Sequence, residues 1–326
     1  MENSSLRAQV IETGRKLVRY GLTARSWGNI SCRKGSDAFL VTASGRNYMT
    51  MSPDEVIEVN LDDLEYIGDI KPSSEMRSHR EIYDLYPEAG AIIHTHQSNA
   101  SAVSALGVSR VRLTKKCPGI GYELICADYA LPGTEELASN VAEAFRKTDG
   151  RAVIMKNHGA ICYGKDCEEA FATACMLEDM CGEYLYALGI KPWKMENEEI
   201  YGRENETVIW NDSEPVRRFS SKAAVLMPYL DDFAQLIGSS LKTVNDDEKT
   251  VKDAIAAGTS MLVRGRGALC VSRSDCDAEA ISMVIEKNCR AYMAASLTGN
   301  RPIKEAECIY MRNMYLNGYA ALFDME

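Results

Sequence analysis

Ala91-Ile92-Ile93-His94-Thr95-His96 is the stretch that decides how the rest of this chain is read. After the break at Gly90, Ala91-Ile92-Ile93 is short, apolar and rich in β-branched residues, which predicts a buried strand. Side chains two apart on a strand share a face, so both imidazoles leave the sheet on one side. A third imidazole stands in Lys156-Asn157-His158-Gly159, behind a second apolar run, Ala152-Val153-Ile154-Met155. The 326 residues hold four histidines, the fourth being His79. Three imidazoles that leave a coordination position open are the pattern of a catalytic zinc rather than a structural one. Taken alone, H-x-H describes equally well two histidines hydrogen-bonded within a strand.

The neighbouring motif is Pro72-Ser73-Ser74-Glu75-Met76-Arg77-Ser78-His79. Pro72 marks a turn, and Ser73 or Ser74 suits the cap of a helix running on from Glu75 through Tyr83. Free N–H groups at such a helix start, with the serine hydroxyls, suit a phosphate. Glu75 in the first turn is placed to act as a general base or as a fourth metal ligand. The plainer alternative is a capped surface helix whose glutamate complements the helix dipole. His79 falls one turn after Glu75 on the same face and is read as a packing or orienting residue, not a ligand.

With these residues in view, the chain resembles the class II aldolase/adducin-head family, which includes fuculose-phosphate aldolases and ribulose-phosphate 4-epimerases. The resemblance spans about residues 5–205 and follows the family order. It runs through Gly21-Leu22-Thr23, Trp27-Gly28-Asn29-Ile30-Ser31, Val41-Thr42-Ala43-Ser44-Gly45, Pro72-Ser73-Ser74-Glu75, His94-Thr95-His96 and Asn157-His158-Gly159. It implies a three-layer α/β/α fold around a central, mostly antiparallel sheet. It implies one Zn2+ on His94, His96 and His158, with another divalent ion possible because imidazoles suit several. Glu75 is implied as the catalytic acid/base and possible fourth ligand. Gly28, Asn29, Ser44, Gly45, Ser73 and Ser74 are implied to hold a substrate phosphate; their own sequence shows only tight turns with polar tips. In the relatives a tyrosine near the domain end reaches a neighbouring subunit's site as a proton donor, and Tyr201-Gly202-Arg203 resembles that tail. The segment Arg112-Leu113-Thr114-Lys115-Lys116-Cys117 lacks the tyrosine that fuculose-type aldolases carry there. Its lysines are read as surface charges, with contact to an anionic substrate group as the alternative.

The implied reaction is retro-aldol cleavage of a ketose phosphate to a triose phosphate (or its equivalent) and an aldehyde, with Lewis-acid help from the metal. A glutamate at position 75 is the aldolase choice, whereas epimerases tend to carry aspartate. A sugar-phosphate 4-epimerase, a ribulose-1-phosphate dehydratase and a non-catalytic adducin-like scaffold are the alternatives.

Composition fits a cytoplasmic enzyme that works on a small phosphorylated sugar. A net charge of −10 gives no basic footprint for nucleic acid or anionic membrane, and no apolar run is long enough to span a bilayer. The eleven cysteines are irregularly spaced, odd in number and lodged in helical patterns, which suits reduced buried thiols. A homo-oligomer is expected, since relatives form tetramers.

Along the chain, helices are expected at about 5–20, 98–106 and 134–147, with a long one opening at Asp166-x-x-Glu169 and closing at Gly189. Strands are expected near 28–32, 38–42 and 56–60. The domains read as a catalytic 1–205, a polar linker 206–221, and 222–326. Residues 152–187 align without gaps on 260–295, with nine identities where composition alone gives about two. Residues 222–326 therefore look like a degenerate, partial second copy, a smaller α/β domain without metal ligands. An unrelated α/β module of similar composition is the rival. His158 falls on Arg266 in Arg264-Gly265-Arg266-Gly267, arginines read as a solvated turn or an intersubunit ion pair rather than as a phosphate site or a lid over the zinc site.

Overall fold

A computed structural model describes residues 3–23, 26–193, 208–272 and 274–319. The chain divides into two compact units, 1–193 and 194–326. In unit 1 the order is α1 (Asn3–Arg19), β1 (Asn29–Lys34), β2 (Ala38–Thr42), β3 (Val56–Asn60), α2 (Met76–Leu85), β4 (Ala91–Thr95), α3 (Ser98–Ser104), β5 (Arg110–Cys117), β6 (Gly121–Ala127), α4 (Glu135–Phe145), β7 (Ala152–Met155), β8 (Gly159–Gly164) and α5 (Cys167–Ala187). The sheet runs β3-β2-β1-β4-β8-β7-β6-β5. Each neighbouring pair is antiparallel except β6 with β7. α2 and α4 cover one face, where Ile82, Tyr83, Leu137, Val141 and Phe145 pack on Phe39, Val41, Ile92 and Ile161. α1, α3 and α5 lie on the other. This is the expected three-layer arrangement.

Strand register gathers the chemistry at one end of the sheet. Asn29, which opens β1, stands opposite His94 near the end of β4, and Ala160 near the start of β8 stands opposite Thr95. Thr42 at the end of β2 accepts the Ile30 N–H at 3.2 Å. Gly28 must be glycine: its φ is 76° and an added Cβ would lie 2.3 Å from the His94 carbonyl oxygen. The Asp166 side chain caps α5 through the Glu169 N–H at 2.8 Å, as the capping motif predicts. The return bond goes instead from the Lys165 N–H to the Glu169 carboxylate. Between the helices expected at 98–106 and 134–147 the chain forms the β5–β6 pair, for which no strand was expected. Lys115 meets Glu183 at 2.9 Å there, which bears out its reading as a surface charge.

Unit 2 contains β9 (Val208–Asn211), α6 (Glu214–Lys222), β10 (Val225–Leu226), α7 (Asp231–Leu236), β11 (Leu241–Val244), α8 (Glu248–Ala256), β12 (Met261–Val263), β13 (Gly267–Val271), α9 (Asp275–Thr298) and α10 (Glu305–Met314). The linker expected over 206–221 is corrected: Val208–Asn211 pairs with β13, and Glu214–Lys222 is a helix that buries Val216 and Phe219. Its polar residues are a turn and a helix start, with Pro215 in the first turn, and they hid the short run Val208-Ile209-Trp210.

Unit 2's sheet order, β10-β11-β12-β13-β9, matches β5-β6-β7-β8-β4 of unit 1. The registers match as well. Val153 pairs with Ile161 and, 108 residues on, Met261 pairs with Leu269. Ile161 also faces His94, and Leu269 faces Trp210. By this correspondence His94, His96 and His158 fall on Trp210, Asp212 and Arg266. Arg266 stacks its guanidinium 4.1 Å over the Trp210 ring and meets Asp246 at 3.1 Å. Unit 2 has no counterpart of α1, β1–β3 and α2 among the described residues.

Candidate functional site

His94 shares a strand face with Ile92, the face covered by α2. His96 follows the last residue of β4, and the backbone beyond it is fixed from α5. There the Glu178 carboxylate accepts the Asn99 and Ala100 N–H groups at 2.7 and 3.1 Å, holding the first turn of α3. His158 sits in the tight turn between β7 and β8. That turn places Asn157 at φ 56°, a conformation asparagine tolerates, and brings Gly159 so close to β4 that a Cβ would lie 2.3 Å from the Thr95 oxygen.

These elements bring the three rings together. Ring centroids are 4.9, 4.8 and 4.7 Å apart, nearly an equilateral triangle. The His94 Nε2 lies 3.0 Å from both the His96 and the His158 Nε2. The spacing is near the roughly 3.3 Å between nitrogens in a tetrahedral zinc site. His94 Nδ1 faces the Ala160 carbonyl oxygen at 2.9 Å, a bond that puts the proton on Nδ1 and leaves Nε2 as a metal-facing lone pair. Among the described residues this is the one cluster of three or more such side chains that can hold a metal ion. All three histidines are buried.

Glu75 completes the site. It stands at the N-cap of α2, but its side chain makes no cap bond. The expected serine cap is correspondingly altered: Ser73 Oγ accepts the Glu75 N–H at 3.3 Å, one step earlier. The carboxylate turns to the imidazoles, with Oε2 3.1 Å from His94 Nε2 and Oε1 3.3 Å from His158 Nε2. Burial pushes the Glu75 carboxyl up, but His94, His158 and His96 beside it hold it well below the usual carboxylate range.

The loops singled out for a phosphate converge on the same end. Ala43 bridges to Pro72, the Ser44 N–H donates to the Lys71 carbonyl and the Ser73 N–H to that of Thr42, so Ser44-Gly45 runs beside Ser73-Ser74. Gly45 has φ 72°. Gly28-Asn29 enters from β1, but the Asn29 side chain faces inward. Its Nδ2 donates to Glu75 Oε2 at 2.9 Å, and its Oδ1 lies 2.5 Å from His79 Nε2. Sequence reasoning had not connected Asn29 to Glu75, nor found Ser31 and Tyr83, which stand behind His79. The signal was there: Glu75, His79 and Tyr83 recur every four residues along one helix stripe, and Asn29 and Ser31 alternate along one strand face. Burial pushes the His79 imidazole down to about 3, with His94 adding to the fall. Tyr201 lies outside the described residues.

A converged imidazole triad thus stands beside a buried glutamate at the end of a mostly antiparallel sheet. Residues 8–185 match the class II aldolase and adducin N-terminal domain, and the chain belongs to that family. It is 31% identical over 181 residues to 5-deoxy-D-ribulose 1-phosphate aldolase of Bacillus thuringiensis serovar kurstaki, covering 55% of this chain and 84% of that one. A solved structure of L-fuculose 1-phosphate aldolase superposes with a TM-score of 0.55 at 27% identity, covering 61% of this chain and 94% of that one. The sugar-phosphate aldolases among these relatives are lyases.

Proposed function

We propose that unit 1 is a zinc-dependent lyase that cleaves a ketose phosphate by retro-aldol chemistry, giving a triose phosphate or its equivalent and an aldehyde. The observation that carries the reading is the convergence on His94 Nε2 of the His96 and His158 Nε2 atoms, each at 3.0 Å, and of Glu75 Oε2 at 3.1 Å, with Glu75 Oε1 3.3 Å from His158 Nε2. A divalent ion held by His94, His96 and His158 supplies Lewis-acid polarisation of the substrate carbonyl.

The chain's own residues do the rest. Breaking the C3–C4 bond leaves the electron pair on C3, while the C4 hydroxyl gives up its proton as the aldehyde forms. Glu75 delivers a proton to C3, and in the synthetic direction takes it away. Tyr201 is proposed as the group that exchanges the proton on the aldehyde side. Ser44-Gly45 and Ser73-Ser74, adjoining loops at the site, with Gly28 and Asn29 beside them, are proposed to hold the substrate phosphate. Backbone N–H groups and hydroxyls there suit an anion.

Unit 2 is proposed to be a partial second copy of unit 1 that lacks metal ligands, a reading supported by the shared strand order and register. The domains then run 1–193 and 194–326, in place of a boundary at 205. A cytoplasmic homo-oligomer is proposed; a reducing compartment is supported by ten described cysteines that are all free thiols.

The deciding experiment is triose phosphate release from a panel of ketose 1- and 5-phosphates by protein of measured metal content. Release with bound zinc supports the lyase. Inversion at C4 without release identifies a 4-epimerase, loss of water a dehydratase, and protein that binds no metal the scaffold alternative.

A further inference from the structure

Behind Glu75 runs a sealed chain of four side chains: Asn29, His79, Ser31 and Tyr83, which are 3, 0, 0 and 2% exposed. With all four side chains buried and bonded to one another, each hydrogen in the chain is set by the one before it. The Asn29 amide Nδ2 donates to Glu75 Oε2 at 2.9 Å. Asn29 Oδ1 therefore faces His79 at 2.5 Å, and since a carbonyl oxygen only accepts, the His79 proton is on Nε2. A neutral imidazole then presents a lone pair at Nδ1, which accepts the Ser31 O–H at 2.7 Å. The Ser31 oxygen in turn accepts the Tyr83 O–H at 2.8 Å. The direction is Tyr83 to Ser31 to His79 to Asn29 to Glu75, with no donor facing a donor.

We propose that His79 is a positioning residue of this site: backed by Ser31 and Tyr83, it fixes Asn29 with its amide N–H toward Glu75 and so aims that carboxylate beside the imidazoles. The alternative orientation of Asn29 turns its carbonyl oxygen against the Glu75 carboxylate oxygen and would require the opposite His79 tautomer. Glu75 needs such a brace. It sits before the first residue of α2 with non-helical backbone angles, φ −96° and ψ 10°, and has three side-chain torsions to fix. The packing that supplies the brace is a two-by-two ladder, Asn29 and Ser31 on β1 against His79 and Tyr83 on α2. The proposal deepens the lyase reading and rests on it for the consequence in turnover; the hydrogen-bond direction does not depend on it.

The test has two arms. In the first, protein labelled with 15N-histidine gives four imidazole spin systems, and the tautomer of His79 is read directly from them. The Nε2–H tautomer is expected in wild type with zinc bound. An Nδ1–H tautomer or an imidazolium overturns the proposal, whatever the enzyme's substrate. The second arm compares His79→Phe, Tyr83→Phe and His79→Gln, each at full metal occupancy. His79→Phe is expected to lower kcat about 10–100-fold with KM little changed, the signature of misaimed chemistry rather than weakened binding. Tyr83→Phe is expected to cost only about two- to fivefold, because the break lies further back. His79→Gln keeps a donor near the Nε2 position and is expected to recover most of the loss. Wild-type kcat in His79→Phe with full metal, or a loss in His79→Gln equal to that in His79→Phe, overturns the positioning role. Should His79→Phe fail to fold, Tyr83→Phe and the tautomer still decide. A wild-type protein that lacks lyase activity but shows the Nε2–H tautomer fails the functional reading and not this one.

Discussion

Glu75→Gln keeps the shape of the side chain and removes its capacity to carry a proton. The structure sets what stays and what goes. Glutamine can still accept the Asn29 N–H, now 2.9 Å from Oε2, through its carbonyl oxygen. Its NH2 group then takes the place of Oε1, 3.3 Å from His158 Nε2. Binding of the sugar phosphate is therefore little affected, and the loss falls on the proton transfer. A positioned general acid/base contributes about 10²–10⁴ in rate, so the barrier should rise by about 3–5 kcal/mol. The assay is coupled detection of triose phosphate, run beside metal analysis of the same sample. Unchanged zinc content and affinity mark Glu75 as a proton carrier alone, whereas about tenfold or more weaker zinc binding marks it as a ligand too. Turnover within tenfold of wild type at full metal occupancy would refute the acid/base role.

Gly28→Ala forces a side chain onto φ 76° and drives its Cβ to 2.3 Å from the His94 oxygen; a loss of at least about 2 kcal/mol is expected, with impaired metal retention. Urea denaturation and metal analysis check both, and wild-type stability would contradict the backbone argument. In unit 2 the buried Lys287 ammonium faces the fully buried Asp232, so Lys287→Met should cost about 3–5 kcal/mol. Adding Asp232→Leu should restore much of it, and a double variant less stable than the single would sink this account. In zinc-free protein, His79 lowers its affinity for a proton on folding, from 6.5 to about 3. A depressed value means the unfolded chain binds more protons across that interval, so the contribution is full above pH 6.5 and is lost toward pH 3. That amounts to at most about 5 kcal/mol. Urea midpoints at pH 7 and pH 4 should therefore differ more in wild type than in His79→Phe.

The candidate metal site was legible because its evidence is compositional as well as positional. Four histidines in 326 residues leave few ways to be arranged, and H-x-H behind an apolar run fixes two of them on one face before any fold is known. The helix starting after Glu75 and the strands β2 and β3 were legible from period and turn residues. What the sequence did not show is which face meets which. Asn29 reads as a polar turn tip in isolation. Only the pairing of β1 with β4, Asn29 opposite His94, turns it inward to Glu75. The β5–β6 pair and β9 were not legible for related reasons: Arg110, Arg112, Lys115, Lys116 and Glu123 break up the apolar positions of the pair, and β9 spans only Val208–Asn211.

Unit 2 separates what the fold requires from what the chemistry requires. Gly159 and Gly267 occupy matching positions, and an added Cβ would strike the backbone oxygen of Thr95 in one unit and of Asn211 in the other, at 2.3 and 2.2 Å. The turn before each glycine needs a positive φ, supplied by Asn157 at 56° and by Gly265 at 73°. Glu178 braces the start of α3, and its counterpart Glu286 accepts from Asn211 Nδ2 at 3.3 Å, just before α6. The close glycine approaches and the positive φ before them are backbone demands, and any chain with this strand–turn geometry must meet them. The three imidazoles answer to no such demand. At their counterparts stand Trp210, Asp212 and Arg266, and a guanidinium stacked on an indole suffices to fill the turn. A proposed second copy can therefore keep its sheet order and registers while losing every metal ligand. Retention of all three histidines and Glu75 in unit 1, where the fold alone does not call for them, thus points to their chemistry as the reason they are there.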